Sequence, residues 1–85
     1  MNTRVAVMSI IVEDDGAVEA LNAILHDDRG YIIGRMGIPY RARGINIVCI
    51  AIDAPQDEIS ALAGKIGNIR GVTVKTAYSN IKDEN

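Results

Sequence analysis

The chain predicts an α+β sandwich of the ferredoxin-like type, a four-stranded antiparallel sheet in βαββαβ order with two helices on one face. Three observations predict it. First, Val5 to Val12 and Ile45 to Ile52 are short runs whose alternating sets are both apolar, as expected of strands covered on two faces. Second, each run is followed by an apolar stripe at helical spacing: Val18, Leu21 and Leu25, then Ile59, Leu62, Ala63 and Ile66. Third, each stripe gives way to a glycine and a mixed strand-like segment, so the second half of the chain repeats the order of the first.

The elements follow in order. The first strand is apolar at every position except Ser9 and stops at Glu13-Asp14-Asp15-Gly16. Asp14 or Asp15 can cap the next helix, because a carboxylate accepts the free N–H groups of a first turn. Asp27-Asp28-Arg29-Gly30 ends that helix, with Gly30 as a left-handed stop. Tyr31 to Pro39 is expected to be the second strand, weakened by Gly34 and Gly37, with Pro39 suited to an edge or a strand end. Tyr40 to Gly44 is short and polar, which suits a hairpin. Asp53-Ala54-Pro55 opens the second helix, and Asp57 and Glu58 favour its N-terminal dipole. Gly64 reads as a close helix contact and Gly67 as its C-cap. Val72 to Tyr78 is the last strand, and residues 79–85 form a polar, flexible tail. Residues 1–85 make a single domain.

Right-handed crossovers place the first and third strands at the centre of the sheet. The second and fourth carry Arg35, Thr73 and Lys75, as edges do. Two helices cover only one face. The other face, also apolar, calls for a partner, so a homo-oligomer is expected, a dimer or higher, most simply with two sheets packed face to face. Met8, Ile10, Ile11, Ile47, Cys49 and Ile50 are the interface candidates. Which alternating set meets the helices stays open, because both are aliphatic.

Composition excludes several classes. Eighty-five residues bury roughly 60–65% of the surface the unfolded chain exposes, enough for one thin core. The aromatics are all tyrosine, so aliphatic side chains must build that core. A net charge of −2 offers no general attraction for nucleic acid, and the central strands lack the aromatics on which RNA bases stack. One cysteine excludes an internal disulfide and suits a reducing compartment. The N-terminus reads as neither a signal peptide nor a membrane span, so a cytoplasmic protein without membrane contact is expected.

Chemistry is sparse. His26 and Cys49 lie on different elements, without a CxxC or a second histidine, so no metal site is expected within one chain. Ser9 and Ser60 lack a shared base, and no cofactor is expected. Gly64-Lys65-Ile66-Gly67 has no phosphate-loop spacing, and its lysine is at the wrong helix end for an anion site. Arg35, Tyr40, Arg41, Arg43 and Arg70 make a modest basic cluster that could meet an acidic ligand or partner, or only keep an edge soluble.

The acid-plus-glycine first turn at Glu13-Asp14-Asp15-Gly16 and the aliphatic helix after it resemble an ACT-type regulatory domain. Three further segments are similar to small regulators of the iron-only hydrogenase system, proteins that resemble the ligand-binding domain of the nickel-responsive regulator. They are Arg35-Met36-Gly37-Ile38-Pro39, Ala61-Leu62-Ala63-Gly64-Lys65-Ile66-Gly67 and Gly71-Val72-Thr73-Val74-Lys75-Thr76. The resemblance implies an ACT-like, oligomeric, non-enzymatic regulator that binds a small-molecule ligand, with Asp14, Asp15, Gly16, Arg35 and Gly37 as the ligand-binding candidates. Two alternatives remain: an interaction module that contacts a protein partner without a ligand, and an acylphosphatase-like enzyme. The latter calls for a glycine-rich arginine loop after the first strand, where this chain has acids.

Overall fold

The computed structural model describes residues 2–80. Strands β1 (Arg4–Val12), β2 (Ile32–Tyr40), β3 (Ile45–Ala54) and β4 (Val72–Tyr78) form one antiparallel sheet in the order β2-β3-β1-β4. Helices α1 (Ala17–Asp27) and α2 (Gln56–Gly67) pack on one face. The expected ferredoxin-like fold is present, with the doubly apolar strands at the centre.

Register assigns the faces. Met8 lies opposite Ile50 and Thr76, and Ile10 opposite Val48 and Val74. Ala6, Met8, Ile10 and Val12 with Val48, Ile50, Ile52 and Ala54 form the floor of the core. Leu21 and Leu25 from α1, and Ile59, Leu62 and Ile66 from α2, close over it. Each of the Val, Leu, Ile and Met side chains, fully buried, contributes about 1.5–3 kcal/mol relative to exposure. Met8, Ile10 and Ile50 are therefore core residues and not candidates for an interface, because the helices already cover them. Ile11, Ile47 and Cys49 belong to the other set.

Several local expectations are corrected. Strand β3 runs two residues past Ile52, because β1 is long enough to pair with it as far as Arg4↔Ala54. Helix α2 accordingly starts at Gln56, with the Pro55 carbonyl accepting from the N–H groups of Glu58 and Ile59. Tyr31 belongs to a 3-10 turn, Arg29–Tyr31, and not to β2. Gly30 sits inside that turn without a left-handed backbone, and α1 ends at Asp28, where the Arg29 guanidinium donates to the His26 carbonyl at 2.8 Å. The left-handed glycines are Gly44, after a 3-10 turn at Arg41–Arg43, and Gly71. Helix α2 is capped by Asn68, one residue after Gly67. Gly64 is not a close contact: a methyl group there would meet nothing within 4 Å.

Of the expected tail, the Ser79 N–H still donates to the Val5 carbonyl, while residues 81–85 lie outside the described residues. Near this end of the sheet, Arg4 stacks on the Tyr78 ring and donates to Gln56, which in turn bonds Tyr78 and Ser60. These contacts tie the first strand to the start of α2 and to the last strand. No described helix is long and apolar enough to cross a membrane.

Candidate functional site

Two surfaces have the character of a site. The first is the uncovered face of the sheet. Val5, Val7, Ile11, Met36, Ile38 and Tyr40 are all more than 40% exposed, and Ile45, Ile47, Cys49 and Ala51 lie half-buried between them. Ser9, Thr73 and Lys75 make the β4 side of this face polar, so the apolar area is centred on β1, β3 and β2. Cys49 sits between Met36 on β2 and Ser9 on β1.

The second surface is a groove along α1 on its β2 side. A β-bulge creates it. Ile32 pairs with Ile52 and Gly34 with Ala51, which leaves Ile33 as an extra residue. Beyond the bulge the alternation changes phase. Arg35, Gly37 and Pro39 come to the helix face, and Met36, Ile38 and Tyr40 to the open face. Glycine and proline supply little bulk beneath α1, and the gap remains open. A methyl group on Gly37 would meet nothing within 4 Å.

Three adjoining clefts make up the groove. The outer one, about 480 Å³, lies between Asp15 at the start of α1 and Pro39, Arg41 and Asn46. The middle one, about 210 Å³, has Val12, Val18, Leu21 and Val48 as its apolar wall and Arg35 and Asn22 as polar neighbours. The inner one, about 320 Å³, is bounded by Asn22, Leu25, His26, Arg29 and Arg35. Pro39 and Asn46 are shared by the first two, and Asn22 and Arg35 by the last two. The Arg35 guanidinium donates to the Asn22 side-chain oxygen at 2.5 Å, which fixes its direction across the groove.

The residues selected by sequence are thus partly brought together. Asp15, Arg35 and Gly37 border the groove. Asp14 and Gly16 do not line it. The Asp14 carboxylate accepts the Gly16 N–H at 3.0 Å, and its carbonyl accepts the Ala17 N–H at 2.9 Å. Neither aspartate caps α1 through its side chain, since Gly16 holds the N-cap position. Asp14 instead braces the turn against Gly71, whose carbonyl accepts the Glu13 N–H at 2.7 Å. A methyl group on Gly71 would approach the Asp14 Cβ to 2.7 Å, so the two loops need glycine there.

Arg41 borders the outer cleft, whereas Arg43 and Arg70 line none of the three clefts. Asn22 and Arg29 were missed by sequence reasoning, and His26 was weighed there only as a metal ligand. Their polar types gave no signal on α1 or in the turn after it, and only the packing of α1 over β2 joins them to Arg35. His26 and Cys49 stay apart, one exposed on α1 and the other on the open sheet face. Among the described residues, no group of three or more His, Cys, Asp or Glu converges on a metal-sized space.

Comparisons with known proteins agree with this architecture. Residues 4–76 match a family model described as "TM1266-like: Iron-only hydrogenase system regulator, putative". The solved structure of the uncharacterized protein TM1266 from Thermotoga maritima superposes with a TM-score of 0.86 at 34% identity, covering 89% of this chain and 96% of that one. A formyltetrahydrofolate deformylase from Pseudomonas putida KT2440 matches with a TM-score of 0.66 at 16% identity, over 91% of this chain and 29% of the enzyme. At that identity the likeness concerns the fold alone. No curated protein matches. The chain belongs to the TM1266-like family.

Proposed function

We propose that this protein is a non-enzymatic, cytoplasmic regulator of the iron-only hydrogenase system that works as a homodimer through its open sheet face and responds to a small ligand. The observation that carries the reading is the uncovered apolar face. Monomeric proteins rarely expose a contiguous apolar patch of this kind. Leaving it in water costs about 25 cal/mol for each Å², so a few hundred Å² amounts to several kcal/mol, a large share of a small domain's stability. A second copy of the same face offers the same apolar character, and a two-fold axis buries both copies at once. The groove beside α1 supports the ligand-responsive part, because it joins an apolar wall to a fixed guanidinium.

Sedimentation velocity at micromolar concentration tests the dimer. Wild-type protein is expected to run as a dimer, and Ile11→Glu combined with Ile47→Glu as a folded monomer. A well-folded wild-type monomer would overturn the reading. The regulatory role is tested by comparing hydrogenase activity in cells that lack the gene, carry it, or carry the double variant. Equal activity in all three would exclude that role.

A further inference from the structure

The middle and inner clefts share an unusual property. Among the described residues that line them none is Asp or Glu, although the chain carries 11 such residues and a net charge of −2. Arg29, Arg35 and His26 supply the ionisable groups instead. The basic groups stand at one end, and the apolar wall of Val12, Val18, Leu21 and Val48 continues from them towards the middle. Local charge therefore opposes the charge of the molecule as a whole, at the mouth of an apolar recess.

We infer that these two clefts form one site for a small aliphatic monocarboxylate, its carboxylate on Arg35 and its hydrocarbon chain against Val18, Leu21 and Val48. The ligand class follows from four features. A guanidinium has five N–H donors, and the bond to Asn22 uses one of Arg35's, so a planar fork remains for a carboxylate. The bond to Asn22 turns the exposed guanidinium across the groove, towards the mouth of the apolar recess. The apolar recess is about 210 Å³, below the roughly 300–1,000 Å³ of sites for drug-sized molecules, so a short chain fits and a nucleotide does not. Finally, with no carboxylate among the described lining residues and Arg29 and Arg35 beside the site, an ammonium group on the ligand would meet like charge without gaining an ionic partner. The site should therefore prefer a simple acid to the amino acid of the same skeleton.

This inference rests on the ligand-responsive reading above, and one experiment separates the two. Calorimetric titration and thermal shift are run on the full chain with 4-methylpentanoate, leucine, 4-methylpentan-1-ol, isopentylamine and inorganic phosphate. The first two ligands differ only by the ammonium group. The acid is expected to bind and to raise the melting temperature, with leucine and the amine at least tenfold weaker. Arg35→Met should weaken the acid by about tenfold or more, the loss of a hydrogen bond to a charged group. Arg35→Lys, which keeps the charge without the fork, should fall between. Circular dichroism confirms that each variant folds.

Leucine or the amine binding as tightly as the acid would overturn the monocarboxylate assignment and leave the ligand-responsive reading standing. So would phosphate binding as tightly as the acid, or an acid affinity unchanged in Arg35→Met. Binding by none of the five would overturn both. Increasing the chain length from acetate to hexanoate should strengthen binding and then level off as the recess fills. A flat series would show that the apolar wall takes no part, and that too would overturn the assignment.

Discussion

The two faces of the central strands have nearly the same side chains and opposite surroundings. Met8 and Ile10 are 0% exposed under the helices, while their chain neighbours Val7 and Ile11 are 43% and 41% exposed on the other side. Hydrophobicity therefore does not distinguish them. The helix-covered face is complete within one chain, since α1 and α2 bring matching stripes to it. The open face has no such cover within one chain. Burial in a β-sheet is a property of the side that is covered, and the residue type only permits it.

The sharpest way to break this comparison is a charge placed on each side in turn. Ile10→Glu puts a carboxylate into the core with no partner, and a cost above about 4 kcal/mol is expected, enough to unfold a small domain. Ile11→Glu should leave a folded chain and abolish self-association. Thermal melts read by circular dichroism, together with sedimentation, distinguish these results. If both variants unfold, or neither does, the two faces are not different in kind.

Truncation refines the contrast. Met8→Ala should cost about 2–5 kcal/mol, since it opens a cavity between the sheet and the helices. Val7→Ala should cost less than about 1 kcal/mol in a chain held monomeric by the Ile11→Glu change. Denaturant melts of the monomeric background measure both. Equal losses would mean that Val7 is as well packed as Met8.

Glycine substitutions give effects of opposite sign. Gly71→Ala forces a side chain onto a backbone with φ +82 and against Asp14, and about 1–3 kcal/mol of destabilisation is expected. Gly64→Ala lies in a helix interior with open space around it, and should stabilise by up to about 1 kcal/mol. The Lys65–Asp28 ion pair, at 3.9 Å with Lys65 56% exposed, is worth about 0–1 kcal/mol, so Lys65→Met should change the melting temperature little. A large loss from Gly64→Ala would restore the close-contact reading of that glycine.

Much of the fold was legible because the signals are local. The stripe Ile59, Leu62, Ile66 identifies a helix and its inner side at once, since a period of 3.6 leaves only one apolar side. Val5 to Val12 and Ile45 to Ile52 identify central strands, because an edge does not need two apolar sets. Helix ends were less legible. Gly30 and Gly67 looked like stops, but a 3-10 turn and Asn68 do that work.

The sequence by itself determined the order of the elements, the central place of β1 and β3, and the presence of more apolar surface than two helices can cover. All three follow from periodicity and from counting faces. Tertiary structure alone decided which set of each central strand is core, because Ile10 and Ile11 are chemically the same and only strand register and helix placement separate them. It also decided the groove. Pairing with Ile50 on β3 carries Arg35 to Asn22, thirteen residues away in sequence, and the extra residue at Ile33 lets Ile32 share that face. No local pattern holds that information, because the phase of an edge strand is defined only by the strand it pairs with.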